Sequence, residues 1–146
     1  MKKLVFKKEE AQPLMNFLTT VKLKNKNSRL RNKLNKKFGE VVTELDEDRL
    51  ALCKEHAEKD DKGEPVVVDG EYKVLDISAL NEQIVELFAE EVYIEVGEYS
   101  SNFEPLFAYL DSEEFDMLLS GQEANCYDRL LDIWEDAMEQ TEEGAN

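Results

Sequence analysis

The stretch Ser28–Asp61, SRLRNKLNKKFGEVVTELDEDRLALCKEHAEKDD, decides the fold of this chain. It contains no proline and one glycine, Gly39. Leu30, Leu34, Phe38, Val41, Val42, Leu45, Leu52, Cys53 and Ala57 recur at the spacing of a single apolar stripe on a helix. Ser28 is placed to cap its start, the hydroxyl accepting a free backbone N–H of the first turn. Asp60-Asp61-Lys62-Gly63 supplies a stop, with Gly63 free to turn left-handed. Such a helix is roughly 45–50 Å long, so other elements must lie along it.

Outward from that helix, Lys3–Phe6 reads as a short strand. A helix over about Glu9–Val21 follows, with Ala11, Leu14, Phe17, Leu18 and Val21 inward and Pro13 near its first turn. Beyond Gly63, residues 64–74 place β-branched and aromatic side chains around Asp69-Gly70, a hairpin signal. An isolated hairpin is barely stable, so this one needs a third strand or a helix beneath it. Ser78 is expected to cap a helix running to about Glu91, with Leu80, Ile84, Leu87 and Phe88 inward. The β-branched residues of 91–96 favour a strand over an extension of that helix. Short helices are expected from Ser100-Ser101-Asn102 to Leu110 and from Ser112 to Leu119. A last helix is expected over about Glu123–Gln140, with Tyr127, Leu130, Leu131, Trp134, Ala137 and Met138 on one face, then a frayed tail, TEEGAN. The class is α+β, mainly α: one long helix packed by shorter ones, with a small sheet from the hairpin and the N-terminal strand. A length of 146 residues suits one domain, residues 1–146, with a core of its own.

The charge is unevenly placed. Residues 1–62 hold 16 basic and 11 acidic side chains, a balance of +5, whereas residues 63–146 hold 2 and 23, a balance of −21; together they give the net −16. Two cysteines do not make a disulfide framework, and no apolar run is long enough for a secretory signal or a bilayer span. A cytoplasmic protein is expected.

Residues 22–37, KLKNKNSRLRNKLNKK, carry eight bases and no acid. Lys24, Lys26, Arg29, Arg31, Lys33 and Lys36, the first four expected to be solvated, suit a phosphate backbone or an acidic partner, although no aromatics are interleaved for base stacking. The simpler alternative packs this stretch beside the acidic half of its own chain or of a second copy. Residues 111–143 are the opposite case, with twelve carboxylates and Arg129 as the one base. Asp111, Glu113, Glu114, Asp116, Asp128, Asp132 and Glu135 on helix faces can imitate a row of phosphates and occupy a basic groove, or can simply keep the protein soluble. The opposite-sign surfaces also make a homodimer an expectation.

Catalytic patterns are weak. Cys53 and His56 share a helix face, but a closed zinc site needs about four ligands and no second histidine exists. Glu44-x-x-Glu47 followed by Glu58-x-x-Asp61 resembles the paired acids of all-α nucleotide pyrophosphohydrolases, and Glu82, Glu86 and Glu90 form an acidic ridge, so a divalent-metal nucleotide hydrolase is a competing reading. Those paired acids should face each other from different helices, whereas here one helix is expected to carry both. No phosphate loop or nucleophile set is present, so no enzyme activity, no metal and no cofactor are expected.

Asn27-Ser28-Arg29-x-Arg31 opening a long helix, then Lys59-Asp60-x-x-Gly63-x-Pro65, Tyr72 and Glu86-Leu87-x-x-Glu90-Glu91, resembles a family of small uncharacterised phage and prophage proteins of Gram-positive bacteria, domain of unknown function 1617. The likeness spans roughly residues 1–96 and leaves the acidic C-terminal part unmatched. It implies a phage accessory protein working in the host cytoplasm, with no catalytic residues to carry over. By analogy with small acidic phage proteins, it suggests a non-catalytic inhibitor of a host nucleic-acid enzyme or defence system, acting through protein–protein contact. A nucleic-acid-binding protein using residues 22–37 is the other alternative.

Overall fold

The computed structural model describes residues 2–97 and 102–140. The chain is α+β and mainly α. In order it forms β1 (Lys2–Lys7), a 3₁₀ turn (Lys8–Glu10), α1 (Ala11–Thr20), α2 (Asn25–His56), β2 (Val67–Val68), β3 (Glu71–Tyr72), α3 (Ile77–Ala89), β4 (Glu91–Val96), α4 (Glu104–Leu110) and α5 (Gln122–Glu139).

The central helix α2 has 32 residues, about 48 Å at the usual rise, as the stripe predicts. Both its ends differ from the expectation. It begins at Asn25, whose φ of 48° the short polar side chain tolerates, and Lys24 stands at the N-cap without a side-chain cap. Ser28 therefore lies inside the first turn and caps nothing. At the other end the helix stops at His56, and Ala57–Asp60 leave it to run beside the hairpin, joined to it by isolated bridges. Ala57 bridges to Val74 and Lys59 to Pro65. Glu58 N–H donates to the Lys73 carbonyl at 2.7 Å, and Val66 N–H donates to the Glu58 carbonyl at 2.8 Å. Asp60-Asp61-Lys62-Gly63 turns this bridged segment back toward the hairpin and does not end the helix. The Asp60 carboxylate accepts the Lys62 and Glu64 N–H groups at 2.8 and 3.0 Å, and Gly63 sits at φ 80°.

The hairpin turns at Asp69-Gly70, both at positive φ (51° and 82°), as a two-residue turn between right-twisted strands demands. It does not join the N-terminal strand. Instead β1 pairs antiparallel with β4, Leu4 opposite Ile94 and Phe6 opposite Val92, so there are two separate two-stranded sheets among the described residues. Leu4, Phe6, Ile94 and Val96 point inward. The outer face pairs Lys3 with Glu95 and Lys7 with Glu91, charges of opposite sign directly across the ladder. The free edge of β1 is closed by a side chain: the Gln140 amide accepts from Lys3 N–H and donates to the Lys3 carbonyl, both at 2.9 Å.

The main core collects these four residues with Leu14, Phe17 and Leu18 of α1, Leu34 and Phe38 of α2, Leu106 and Phe107 of α4, and Leu130 and Ile133 of α5. Phe6 meets Phe38 edge-on at 5.1 Å, and Phe107 stacks flat on Trp134 at 4.4 Å. Ile133 is a core residue that the inward face assigned to α5 omits. α3 is capped by Asp76, whose carboxylate accepts the Ala79 N–H at 3.0 Å, rather than by Ser78.

The expected helix from Ser112 to Leu119 does not form. The Ser112 hydroxyl donates back to the Tyr109 carbonyl at 2.7 Å and so closes α4 instead of opening a new helix. Phe115, Met117 and Leu119 then turn partly inward while Leu118, 96% exposed, faces out, the alternation of extended chain. The proposed start of α4 at Ser100-Ser101 and the tail TEEGAN lie outside the described residues.

Candidate interaction surfaces

α1 packs against both α2 and α5. It therefore stands between the basic half of α2 on one side and the acidic helix on the other. Lys26, Arg29, Lys33 and Lys36 follow one another at three- and four-residue steps along α2 and are all exposed, as is Lys24 before them. Arg31 faces the other way, contrary to the expectation that it is solvated. It is half-buried, and its Nη1 donates to the carbonyls of Leu18 and Val21, both at 2.8 Å. Those carbonyls belong to the C-terminal end of α1, where orphaned acceptors and the negative end of the helix dipole both favour a cation. Sequence reasoning gave Arg31 the same role as its neighbours because both faces of the α2 start are basic.

The acidic residues reach one region from two elements. Asp128, Asp132 and Glu135 form an exposed ridge on α5. Asp111, Glu113, Glu114 and Asp116 are exposed on the segment between α4 and α5. Phe115 fastens that segment to α5 by stacking on Tyr127 at 5.4 Å, and the Tyr127 hydroxyl donates to the Leu110 carbonyl at 2.6 Å. Asp111 and Asp128 thus flank Tyr127. Burial first, then these two charges, raises the tyrosine's pKa.

Neither charged surface is neutralised by the other. Among the described residues the ion pairs are Lys8–Glu90, Lys73–Glu58 and Arg129–Glu10. None of the seven acids or of Lys24, Lys26, Arg29, Lys33 and Lys36 takes part. Lys22 and Asp116 border one recess without pairing. Arg129, the one base of the acidic segment, is committed to Glu10: Nε donates to Oε2 at 2.5 Å and Nη2 to Oε1 at 3.1 Å.

The acids that suggested a hydrolase are not assembled for one. Glu44 and Glu47 lie on α2, whereas Glu58 and Asp61 lie beyond its end. Asp48 and Glu55 of α2 do face Glu86 of α3 and Glu90, just beyond its end, across an open groove. No group of three or more His, Cys, Asp or Glu side chains among the described residues is close enough to hold a metal ion. His56 and Cys53 are half-buried on α2, and both cysteines are free. No helix is long and apolar enough to cross a membrane, among the described residues.

The fold defines a mainly helical α+β protein built along one helix, with two surfaces of opposite charge. The chain belongs to the family described as Protein of unknown function (DUF1617), whose model matches residues 2–142. The acidic C-terminal part is therefore as much a part of the family pattern as the first 96 residues. No curated protein and no solved structure matches the chain.

Proposed function

We propose that this is a non-catalytic phage or prophage accessory protein of a Gram-positive host, working in the cytoplasm by binding a partner protein through its acidic face. The partner class that fits is a nucleic-acid-binding host enzyme or defence protein with a basic groove. The observation that carries this reading is the set of exposed carboxylates, in no ion pair among the described residues, presented together by α5 and the segment fastened to it by Phe115. Electrostatic complementarity of this kind acts chiefly on association rate and is screened within about 8–10 Å at physiological salt.

Reversing Glu113, Glu114 and Asp116 to Lys tests it. The three side chains are exposed and unpaired, so the fold survives, and relief of repulsion within the segment stabilises if anything. Binding to a partner captured from a Gram-positive lysate should slow, with a flatter salt dependence. A folded triple variant with unchanged affinity and unchanged salt slope would leave the acidity with a solubilising role only.

The unpaired stripe Lys26, Arg29, Lys33 and Lys36 supports a second reading, contact with a nucleic-acid backbone. A labelled duplex that binds with a steep salt dependence, lost on changing these four to Gln, would favour it.

A further inference from the structure

The sheet of β1 and β4 has two edges, and they differ. On β1 the Gln140 amide holds both backbone groups of Lys3, which therefore point away from β4. In an antiparallel ladder that direction alternates from one residue to the next. Leu4 and Phe6 then bond toward β4, to Ile94 and Val92 opposite them. The Lys8 N–H, donating to the Glu90 carbonyl at 2.9 Å, continues the same series. By the same alternation Glu91, Tyr93 and Glu95 turn their N–H and C=O groups to the far side of β4. Nothing among the described residues meets them there. The sheet has two strands, no isolated bridge involves β4, and no backbone hydrogen bond outside the ladder reaches these three residues. Among the described elements β1 is the one that runs alongside the strand.

A row of unpaired backbone groups on a strand edge is a template for a further strand. The side chains along it select the chain that fits. All three are exposed, Tyr93 by 51%, and the tyrosine stands between the two carboxylates. Lys7 and Lys3 lie across the ladder from Glu91 and Glu95, so the sign of charge already alternates over the outer face. Bases on the far side of β4 would continue that alternation. Neither Glu91 nor Glu95 is in an ion pair among the described residues. A second copy adding its own β4 antiparallel and in full overlap would set Glu91 against Glu95 at both ends, like charges directly opposite. On the other face Val92 and Ile94 turn toward the core, so the residues beside them should be apolar. We propose that the open edge of β4 receives an extended segment of a partner protein as a third, antiparallel strand, with Lys or Arg opposite Glu91 and Glu95 and apolar residues between. No residue of α5 or of the 111–120 segment takes part, so this edge is separate from the acidic face and stands or falls independently of it.

Amide hydrogen exchange reads this edge residue by residue. In the free protein the Glu91, Tyr93 and Glu95 amides should exchange fast and those of Val92 and Ile94 slowly, because β1 holds only the latter pair. The probe is a synthetic peptide with a run of three valines between two lysines. At about four times its Kd it should slow exchange of the three outward amides about fivefold, since exchange follows the unoccupied fraction. N-methylation of its central valine, whose amide faces Tyr93, should weaken binding about tenfold or more, whereas methylation of an adjacent valine, whose amide faces away, should not. Glutamates in place of the two lysines should abolish the protection. Tyr93→Pro removes an outward donor and leaves the β1 ladder whole, so it should keep the circular dichroism spectrum and lose the peptide. Any of the following would overturn the proposal: outward amides as slow as that of Ile94 in the free protein, no peptide binding at about 1 mM, equal losses from the two methylated peptides, or equal binding by the glutamate peptide. Outward amides that slow with protein concentration alone would overturn it too, and would assign the edge to a second copy.

Discussion

Glu10 and Arg129 tie the beginning of α1 to α5 through two hydrogen bonds, and Glu10 Oε1 also accepts the Lys7 N–H at 2.9 Å. Burial alone would raise the Glu10 pKa. The hydrogen bonds from Arg129 and Lys7, with the charges of both, outweigh it and hold the carboxyl below its ordinary 4.5. The stabilisation from this group is therefore present above the unfolded value and is lost as pH falls through the lower, folded one. Glu10→Gln should melt below the parent at neutral pH, and the two melting curves should converge as pH drops below 4.5. Thermal melts down to about pH 3 decide this, because both proteins share every other carboxylate. A gap that stays constant over that range would rule out the linkage. Nothing in the order of residues marks this pair: its members are 119 positions apart, and only folding reveals that the single base of an acidic segment is already engaged.

At the scale of elements, each boundary that departs from expectation was settled by a competing partner. Ser28 is a good capping residue, yet α2 begins three residues earlier, where Asn25 takes the left-handed turn out of α1. Ala57 belongs to the apolar stripe of the helix, yet it is given to the hairpin, whose strands need backbone partners more than the helix needs another turn. Arg31 shows the same competition between a sequence pattern and a tertiary demand. Its two bonds to Leu18 and Val21 close α1, so Arg31→Gln should destabilise the protein by about 1–2 kcal/mol, with Arg31→Lys recovering part of the loss. Changing Lys24, Lys26, Arg29 and Lys33 to Gln instead should leave the melting temperature close to the parent's, since none is paired in the described structure. Chemical denaturation of the two variants side by side tests the division. Equal losses would mean that the whole stretch is structural.

For the whole molecule, the solvent stripe of α2 runs from basic to acidic: Lys26, Arg29 and Lys33 near its start, then Glu40, Glu44 and Glu47, all exposed. Two such helices laid antiparallel about a two-fold axis would set Lys33 against Glu40, Arg29 against Glu44 and Lys26 against Glu47 of the other copy. Exposed pairs are worth about 0–1 kcal/mol each and are screened by salt, so a dimer held by these contacts, against the repulsion of two copies of net −16, is expected to dissociate as salt rises. Light scattering across a salt series checks this, and a monomer at low salt and high concentration ends it. The order of residues alone lays down the periodic content of this protein: the long helix, the Asp69-Gly70 hairpin, the strand at 91–96, most core positions and the split of charge between the halves. These follow from side-chain spacing and turn chemistry, which are local. Packing alone settled that β1 pairs with β4, that residues 112–119 form no helix, that Arg31 caps α1, and that Leu50 and Ile77 line a cleft toward the far end of α2. Each of those depends on which distant group claims a backbone bond or covers an apolar side chain, and that is fixed by packing between segments far apart in the chain.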